Sequence, residues 1–165
     1  MSRYIHMFCG KGSGKSSAAL GRAVKAACEG KSVIMIQFLK GKDAAEPGFL
    51  RRLDPEIRLF SFDKFAKPFN ELSPEEREEE RAHIQNGLSY ARKVLSTGEA
   101  DVVVLDEILG LPEKGVADKE EIRALIQACS EDLELILTGQ DRCEDLWPYV
   151  DEVSEVITDF INPKG

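Results

Sequence analysis

No apolar run in this chain of 165 residues approaches the length of a membrane span, and the N-terminus lacks the apolar core of a secretory leader. A helical membrane protein is thereby excluded, and a cytoplasmic setting is expected. The four cysteines, Cys9, Cys28, Cys129 and Cys143, form no CxxC pair and no metal-ligand spacing. A thiolate metal centre and a disulfide framework are both excluded, leaving reduced, buried thiols as the expectation. Histidine is limited to His6 and His83, which read as a strand residue and a surface helix residue. Positive charge is the minority, at 22 Lys and Arg against 30 Asp and Glu, for a formal charge of −8. That balance argues against a general affinity for nucleic acid or an anionic membrane. Part of the acid is local, because Glu75 to Glu80 holds five glutamates that read as a solvated helix face. Internal repeats, low-complexity segments and linkers are missing too, so residues 1–165 read as a single domain large enough for a core.

What the chain does have is Cys9-Gly10-Lys11-Gly12-Ser13-Gly14-Lys15-Ser16-Ser17, placed after the apolar run Tyr4 to Phe8. An Ala-rich segment, Ser16 to Cys28, follows it. Strand, glycine loop and helix, with Gly-Lys-Ser at the junction, is the arrangement that cradles a polyphosphate. Glycines at 10, 12 and 14 let successive N–H groups turn inward as an anion nest. The helix start behind them adds unpaired N–H groups and a partial positive charge. Lys15 can reach distal phosphates, and the Ser16 hydroxyl can ligate Mg²⁺. The first glycine of the usual pattern is displaced by one place, since Cys9 stands where it should be.

The helix should run from Gly14 to Cys28 and stop at Gly30, with Ala18, Ala19, Ala23, Ala26 and Ala27 allowing close packing on a sheet. Val33 to Phe38 is nearly continuous in apolar residues, as a strand covered on both faces should be. Gln37 and Lys40, at its carboxyl end, fall where α/β sheets gather ligands. Residues 43–54 predict a short helix, and Ile57 to Phe62 a strand. Phe62, Phe65 and Phe69 then straddle a loop, either capping the core or forming an apolar wall for a ligand. Ser73-Pro74-Glu75-Glu76 is a capping box that opens a helix lasting to Gly98. Asp118 to Glu121 is a second box, before a helix with Ile122, Leu125, Ile126 and Cys129 on one face. Leu133 to Thr138 predicts a buried strand leaving the sheet at Gly139. Asp141 to Tyr149 predicts a short helix with Trp147 in the core, and Val153 to Ile161 a last strand.

Val102-Val103-Val104-Leu105-Asp106-Glu107 is the second site-bearing element. An apolar strand ending in two carboxylates, behind a phosphate loop, suits an acid that holds Mg²⁺ directly or through water, and either Asp106 or Glu107 could serve. Alternating strands and helices around such a loop predict an α/β fold. Its form is a P-loop (RecA-like) three-layer sandwich with a mostly parallel central sheet.

In this setting the chain resembles the ATP:corrinoid adenosyltransferases. The resemblance is carried by the shifted loop Gly10 to Ser17, Ile36-Gln37-Phe38-Leu39-Lys40-Gly41, Val103 to Glu107, Ile136-Leu137-Thr138-Gly139 and Val153-Ser154-Glu155, in that order. It implies that a Co(I) corrinoid attacks C5′ of ATP and that triphosphate leaves in one piece. Gly10, Lys11, Gly12, Ser13, Gly14, Lys15, Ser16 and Ser17 would then hold a leaving group, with Gln37 and Lys40 bordering the site. The implied catalytic residues are Lys15, Ser16 and Glu107, and the implied metal ligands Ser16 with Asp106 or Glu107. The resemblance also implies a homodimer and a reductase that supplies electrons. The chain departs from the family pattern at Lys11, Ser13, Ser16 and Ser17, at Gln140 in place of Arg, and at Ile108-Leu109-Gly110-Leu111, which lacks the Asn often found after the two acids. It also lacks the basic Lys-His tail and the N-terminal extension of longer members. Two other functions compete: a conventional P-loop ATPase or small-molecule kinase, and a non-catalytic relative that binds ATP or a corrinoid.

Overall fold

The computed structural model describes residues 2–40 and 50–164. Six strands form one sheet: β1 (Tyr4–Cys9), β2 (Val33–Gln37), β3 (Ile57–Ser61), β4 (Val102–Asp106), β5 (Glu134–Thr138) and β6 (Glu152–Glu155). Their order is β3-β2-β4-β5-β1-β6 and every pairing is parallel. Among the described residues three longer helices accompany them, α1 (Lys15–Cys28), α2 (Pro74–Thr97) and α3 (Lys119–Ala128).

Side-chain alternation along the strands divides the core in two. Ile5, Met7, Ile34, Ile36, Val103, Leu105, Leu135 and Leu137 point to the face covered by α2 and α3, where they meet Ile84, Leu88, Val94, Ile122 and Ile126. Phe8, Val33, Met35, Val102, Val104 and Ile136 point to the other face, against Ala19, Ala23 and Ala26 of α1. Three layers result, as the periodicity predicts. The small residues of α1 let its axis lie close to the sheet.

Both predicted capping boxes are formed. Ser73 Oγ accepts from Glu76 N at 3.2 Å and Glu76 Oε2 from Ser73 N at 2.8 Å. Asp118 and Glu121 exchange two bonds of 2.9 Å. Gly98, with φ of 63°, ends α2 as a left-handed cap. His6 lies in β1 and is buried, whereas His83 is exposed on α2. Three of the thiols are buried, but Cys28 is exposed at the end of α1.

Of the helix predicted over 43–54, residues 43–49 lie outside the described residues; Leu50 is helical and Arg51–Leu53 form a 3-10 turn. Two other expectations need correction. The helix predicted from Asp141 begins only at Glu144 and is 3-10 in form. Asp141 Oδ1 accepts from Cys143 N at 2.7 Å, and Cys143 takes a positive φ of 44°, which blocks an earlier start. The last strand stops at Glu155 instead of Ile161. Its neighbour β1 ends at Cys9 and turns into the glycine loop, so no strand remains to pair with, and the chain follows the loop instead.

Candidate functional site

At the carboxyl ends of the strands, register places Ser61, Gln37 and Asp106 side by side, while Thr138 is level with Phe8 in β1. Gln37, Asp106 and Thr138 fall on the α1 face, because each continues the parity of Met35, Val104 and Ile136. β5 lies between the strand that feeds the glycine loop and the strand that carries the acids. From that middle position the Thr138 side chain bonds to the acid strand: its Oγ1 donates to Asp106 Oδ1 at 2.7 Å and accepts from Glu107 N at 2.9 Å.

Ser16, in the first turn of α1, donates to the same Asp106 oxygen at 2.8 Å. The Lys40 ammonium stands beside this pair, 3.2 Å from Ser16 Oγ and 3.3 Å from Asp106 Oδ2. Asp106 is 0% exposed, and its Oδ2 makes no hydrogen bond of acceptable geometry. Both amide atoms of the buried Gln37 also lack a hydrogen-bond partner. Polar atoms buried in this way are costly, on the order of 1–3 kcal/mol each, unless a ligand or water completes them. Hydroxyl and carboxylate oxygens with a cation already alongside are a donor set that fits Mg²⁺. Among the described residues no group of three or more His, Cys, Asp or Glu could hold a metal. Water and phosphate would have to supply the rest of the shell, as is usual for this ion.

Gly10 and Gly14 both have φ of 105°, the conformation that the turn demands of glycine. Gly12 is required for a different reason: a Cβ there would lie 2.6 Å from Val156 O. The stretch after β6 is laid along the loop, with Gly12 N donating to Val156 O at 2.9 Å and Ser13 N to Thr158 Oγ1 at 3.1 Å. The first turn of α1 has no side-chain cap, so its N–H groups stay directed at the loop's mouth. Lys15 is buried and donates to Gly12 O at 2.6 Å, which folds the ammonium into the loop's own bowl. Lys11, Ser13 and Ser17 are exposed around the rim. Gln140 is exposed, and its carbonyl accepts from Gly10 N at 3.1 Å. On the outer side of the loop is a recess of about 650 Å³ bordered by Arg142, Ile157, Thr158 and Ile161.

Glu107 borders a neighbouring cleft while staying within electrostatic reach of Lys40 and Lys15. Its backbone is left-handed, with φ of 65°, and its side chain joins Leu39, Phe69, Gly110 and Gln140 around a cleft of about 260 Å³. Burial, and then the neighbouring Asp106, push its carboxyl above the usual range. Of the three loop aromatics, Phe62 is partly buried and packs onto the core beside Gly87 and Tyr90. Phe65 and Phe69 instead line a cavity of about 120 Å³ with Leu39, Leu72, Asp63 and Glu80.

Two contributors escape a reading of motifs. Thr138 stands in the Ile136-Leu137-Thr138-Gly139 motif but receives no role from it, although it is the one polar residue at that strand's end, level with Asp106. Asp63 carries no motif at all. Its Oδ2 accepts from Lys40 N at 3.2 Å, and burial followed by the nearby Glu80 raises its carboxyl to about 6.

Comparison with known proteins agrees with this architecture. The family model described as ATP:corrinoid adenosyltransferase BtuR/CobO/CobP matches residues 1–159. The corrinoid adenosyltransferase of Escherichia coli is 30% identical over 152 residues, covering 92% of this chain and 75% of the relative. The protein named corrinoid adenosyltransferase CobA in Salmonella typhimurium gives the same identity and coverage, 30% over 92% and 75%. A corrinoid adenosyltransferase of Pseudomonas aeruginosa is 28% identical over 148 residues, 89% of this chain and 71% of the relative. With the family matched over nearly its whole length and the loop, acid strand and intervening threonine assembled at one sheet edge, the chain belongs to the ATP:corrinoid adenosyltransferase family.

Proposed function

We propose that the protein transfers the 5′-deoxyadenosyl group of ATP to the Co(I) centre of a corrinoid and releases triphosphate. The observation that carries this reading is the Ser16–Asp106 hydrogen bond of 2.8 Å, which joins the phosphate loop to the acid strand beside Lys15 and Lys40. Such a cluster is built to receive a polyphosphate. In the reaction the Co–C5′ bond forms as the C5′–O bond breaks, and the bonding pair departs with the triphosphate. Cobalt passes from Co(I) to Co(III), and no side chain need act as nucleophile.

Negative charge grows on the departing oxygen, so donors aimed at the triphosphate act where they are most effective. Lys15 exchanges its bond to Gly12 O for a phosphate oxygen, and the N–H groups opening α1 hold the rest. Ser13 N turns from Thr158 to the same anion. Ser16 and Asp106 would hold Mg²⁺, which supplies charge neutralisation at the phosphates. Gln37, buried beside them, is available to a water of that shell. Glu107 borders the reacting end from the Phe69 cleft. Phe65 and Phe69 offer apolar surface to a corrin, where loss of a lower axial ligand eases reduction to Co(I).

The reading includes a homodimer, a reductase as electron donor and a cytoplasmic setting. Among the described residues, no helix is long and apolar enough to cross a membrane. Mixing the protein with ATP, Mg²⁺ and chemically reduced cobalamin under anaerobic conditions should yield the adenosylcobalamin spectrum and an equal amount of triphosphate. ADP as the only nucleotide product would overturn this in favour of a kinase or ATPase. Tight binding of both substrates without turnover would leave a non-catalytic relative.

A further inference from the structure

We propose that the Lys40 ammonium competes with the divalent cation for the Ser16–Asp106 pair, and that Asp63 is the positioning residue that aims it there. The inference rests on the reading of Ser16 and Asp106 as metal ligands, and extends it to how the cation is admitted. The ammonium lies 3.2 Å from Ser16 Oγ and 3.3 Å from Asp106 Oδ2. A magnesium ion binding the same oxygens at about 2.0–2.1 Å would be almost in contact with it. Two cations at that separation repel too strongly to share the pocket, so one leaves as the other enters.

The direction of Lys40 is not left to a free side chain. Phe38 N donates to Asp106 O at 3.0 Å, which ties the end of β2 to the acid strand. Leu39 then takes a positive φ of 58°, unusual for a branched residue, and this turns Lys40 back over the sheet edge. Asp63 secures the turn: its Oδ2 accepts from Lys40 N at 3.2 Å and Ser61 Oγ at 3.4 Å, and the Leu39 amide reaches it too. Asp63 is steadied in turn from α2, where the buried Glu80 accepts from Lys64 N and Phe65 N at 3.1 Å. A continuous path of bonds thus runs from α2 to the metal oxygens.

The consequence is selectivity for a cation that arrives with its anion. A free divalent ion must break the Lys40 contacts with Ser16 and Asp106 and brings no anion of its own. A cation bound to triphosphate brings the oxygens that the displaced ammonium can follow. Free metal is disfavoured and the metal–nucleotide complex is accepted.

Mn²⁺, titrated into nucleotide-free protein at neutral pH and followed by electron paramagnetic resonance, tests this without any turnover. Lys40→Met and Lys40→Gln should each bind Mn²⁺ at least tenfold more tightly than wild type, because Asp106 loses a charge-assisted partner. Asp63→Ala should shift affinity in the same direction by a smaller factor. Asp63→Asn, whose amide oxygen still accepts from Lys40 N, should match wild type. Circular dichroism of each variant checks that the fold persists. Equal Mn²⁺ affinity in wild type and both Lys40 variants, or no binding in any of them, would overturn the proposal. Adding Asp106→Asn to Lys40→Met should abolish the gained binding. If Mn²⁺ still binds there, the cation lies elsewhere and the metal-site assignment falls with it, whatever the adenosylation assay reports.

Discussion

Lys15 shows how a single residue can be legible in type and hidden in detail. Gly-Lys-Ser after a strand marks it as a phosphate ligand, and its burial at the loop agrees with that position. Its bond to Gly12 O could not be read from the sequence, since that depends on the loop's closed shape. The bond is replaceable, so Lys15 is ready to exchange a neutral acceptor for an anionic one. Lys15→Ala should lower ATP affinity or turnover at least tenfold, because a charge-assisted contact contributes about 1.5–3 kcal/mol. Equilibrium binding of a fluorescent ATP analogue, with steady-state rates alongside, checks it. Unchanged affinity and rate would remove the loop from the mechanism. Asp106 was legible beside Glu107, but the sequence left the metal role open between them. The two differ in where the chain turns: Asp106 is the last residue of β4 and bonds Ser16, whereas Glu107 has a left-handed backbone and borders the Phe69 cleft, still near the charges of Lys40 and Lys15.

At the scale of elements, the well-marked helices form as capping and periodicity predict, and the errors fall where a neighbour decides. β6 is shortened because its partner strand ends, a fact that no pattern within Val153 to Ile161 contains. The loop pattern marks Gly12 as a turn residue, yet the Val156–Thr158 stretch packed on it is what forbids a side chain. Gly87 in α2 is a similar case. In an open helix its replacement by Ala would gain roughly 1 kcal/mol of helix propensity. Here an added Cβ would stand 2.7 Å from Phe62 Cγ and 2.9 Å from Phe62 Cβ, and the latter cannot swing away. Overpacking of this kind costs about 1–3 kcal/mol, so the net effect of Gly87→Ala is destabilising. Its thermal midpoint should drop, by roughly 2–4 °C per kcal/mol lost in a protein of this size. A midpoint raised above wild type would show that the β3–α2 loop yields and that Phe62 does not anchor it.

The whole molecule sets what no local pattern encodes: the order of strands. The three-layer parallel sandwich was legible from alternating elements, but nothing in β5 announces that it inserts between β1 and β4. That insertion sets Thr138 beside Asp106, to which it donates at 2.7 Å, in a row of buried polar strand ends. The same packing buries Asp63 beside Glu80 and raises its carboxyl from 3.8 to about 6. The folded chain therefore holds this proton more tightly than the unfolded chain does. The stabilisation it provides is complete below pH 3.8 and is lost as pH rises through about 6. Its size is on the order of 2–3 kcal/mol by linkage. Glu107, also raised, acts in the same sense, while Glu76 and Glu152, lowered by their hydrogen bonds, act in the opposite one. The net profile mixes all four, so the informative quantity is a difference between two proteins. Asp63→Asn cannot ionise, and its urea midpoint relative to wild type should rise steadily between about pH 4 and pH 6.5. If the two profiles run parallel across that window, Asp63 is solvated in the folded protein and the cavity between Phe65, Leu72 and Glu80 is open to water.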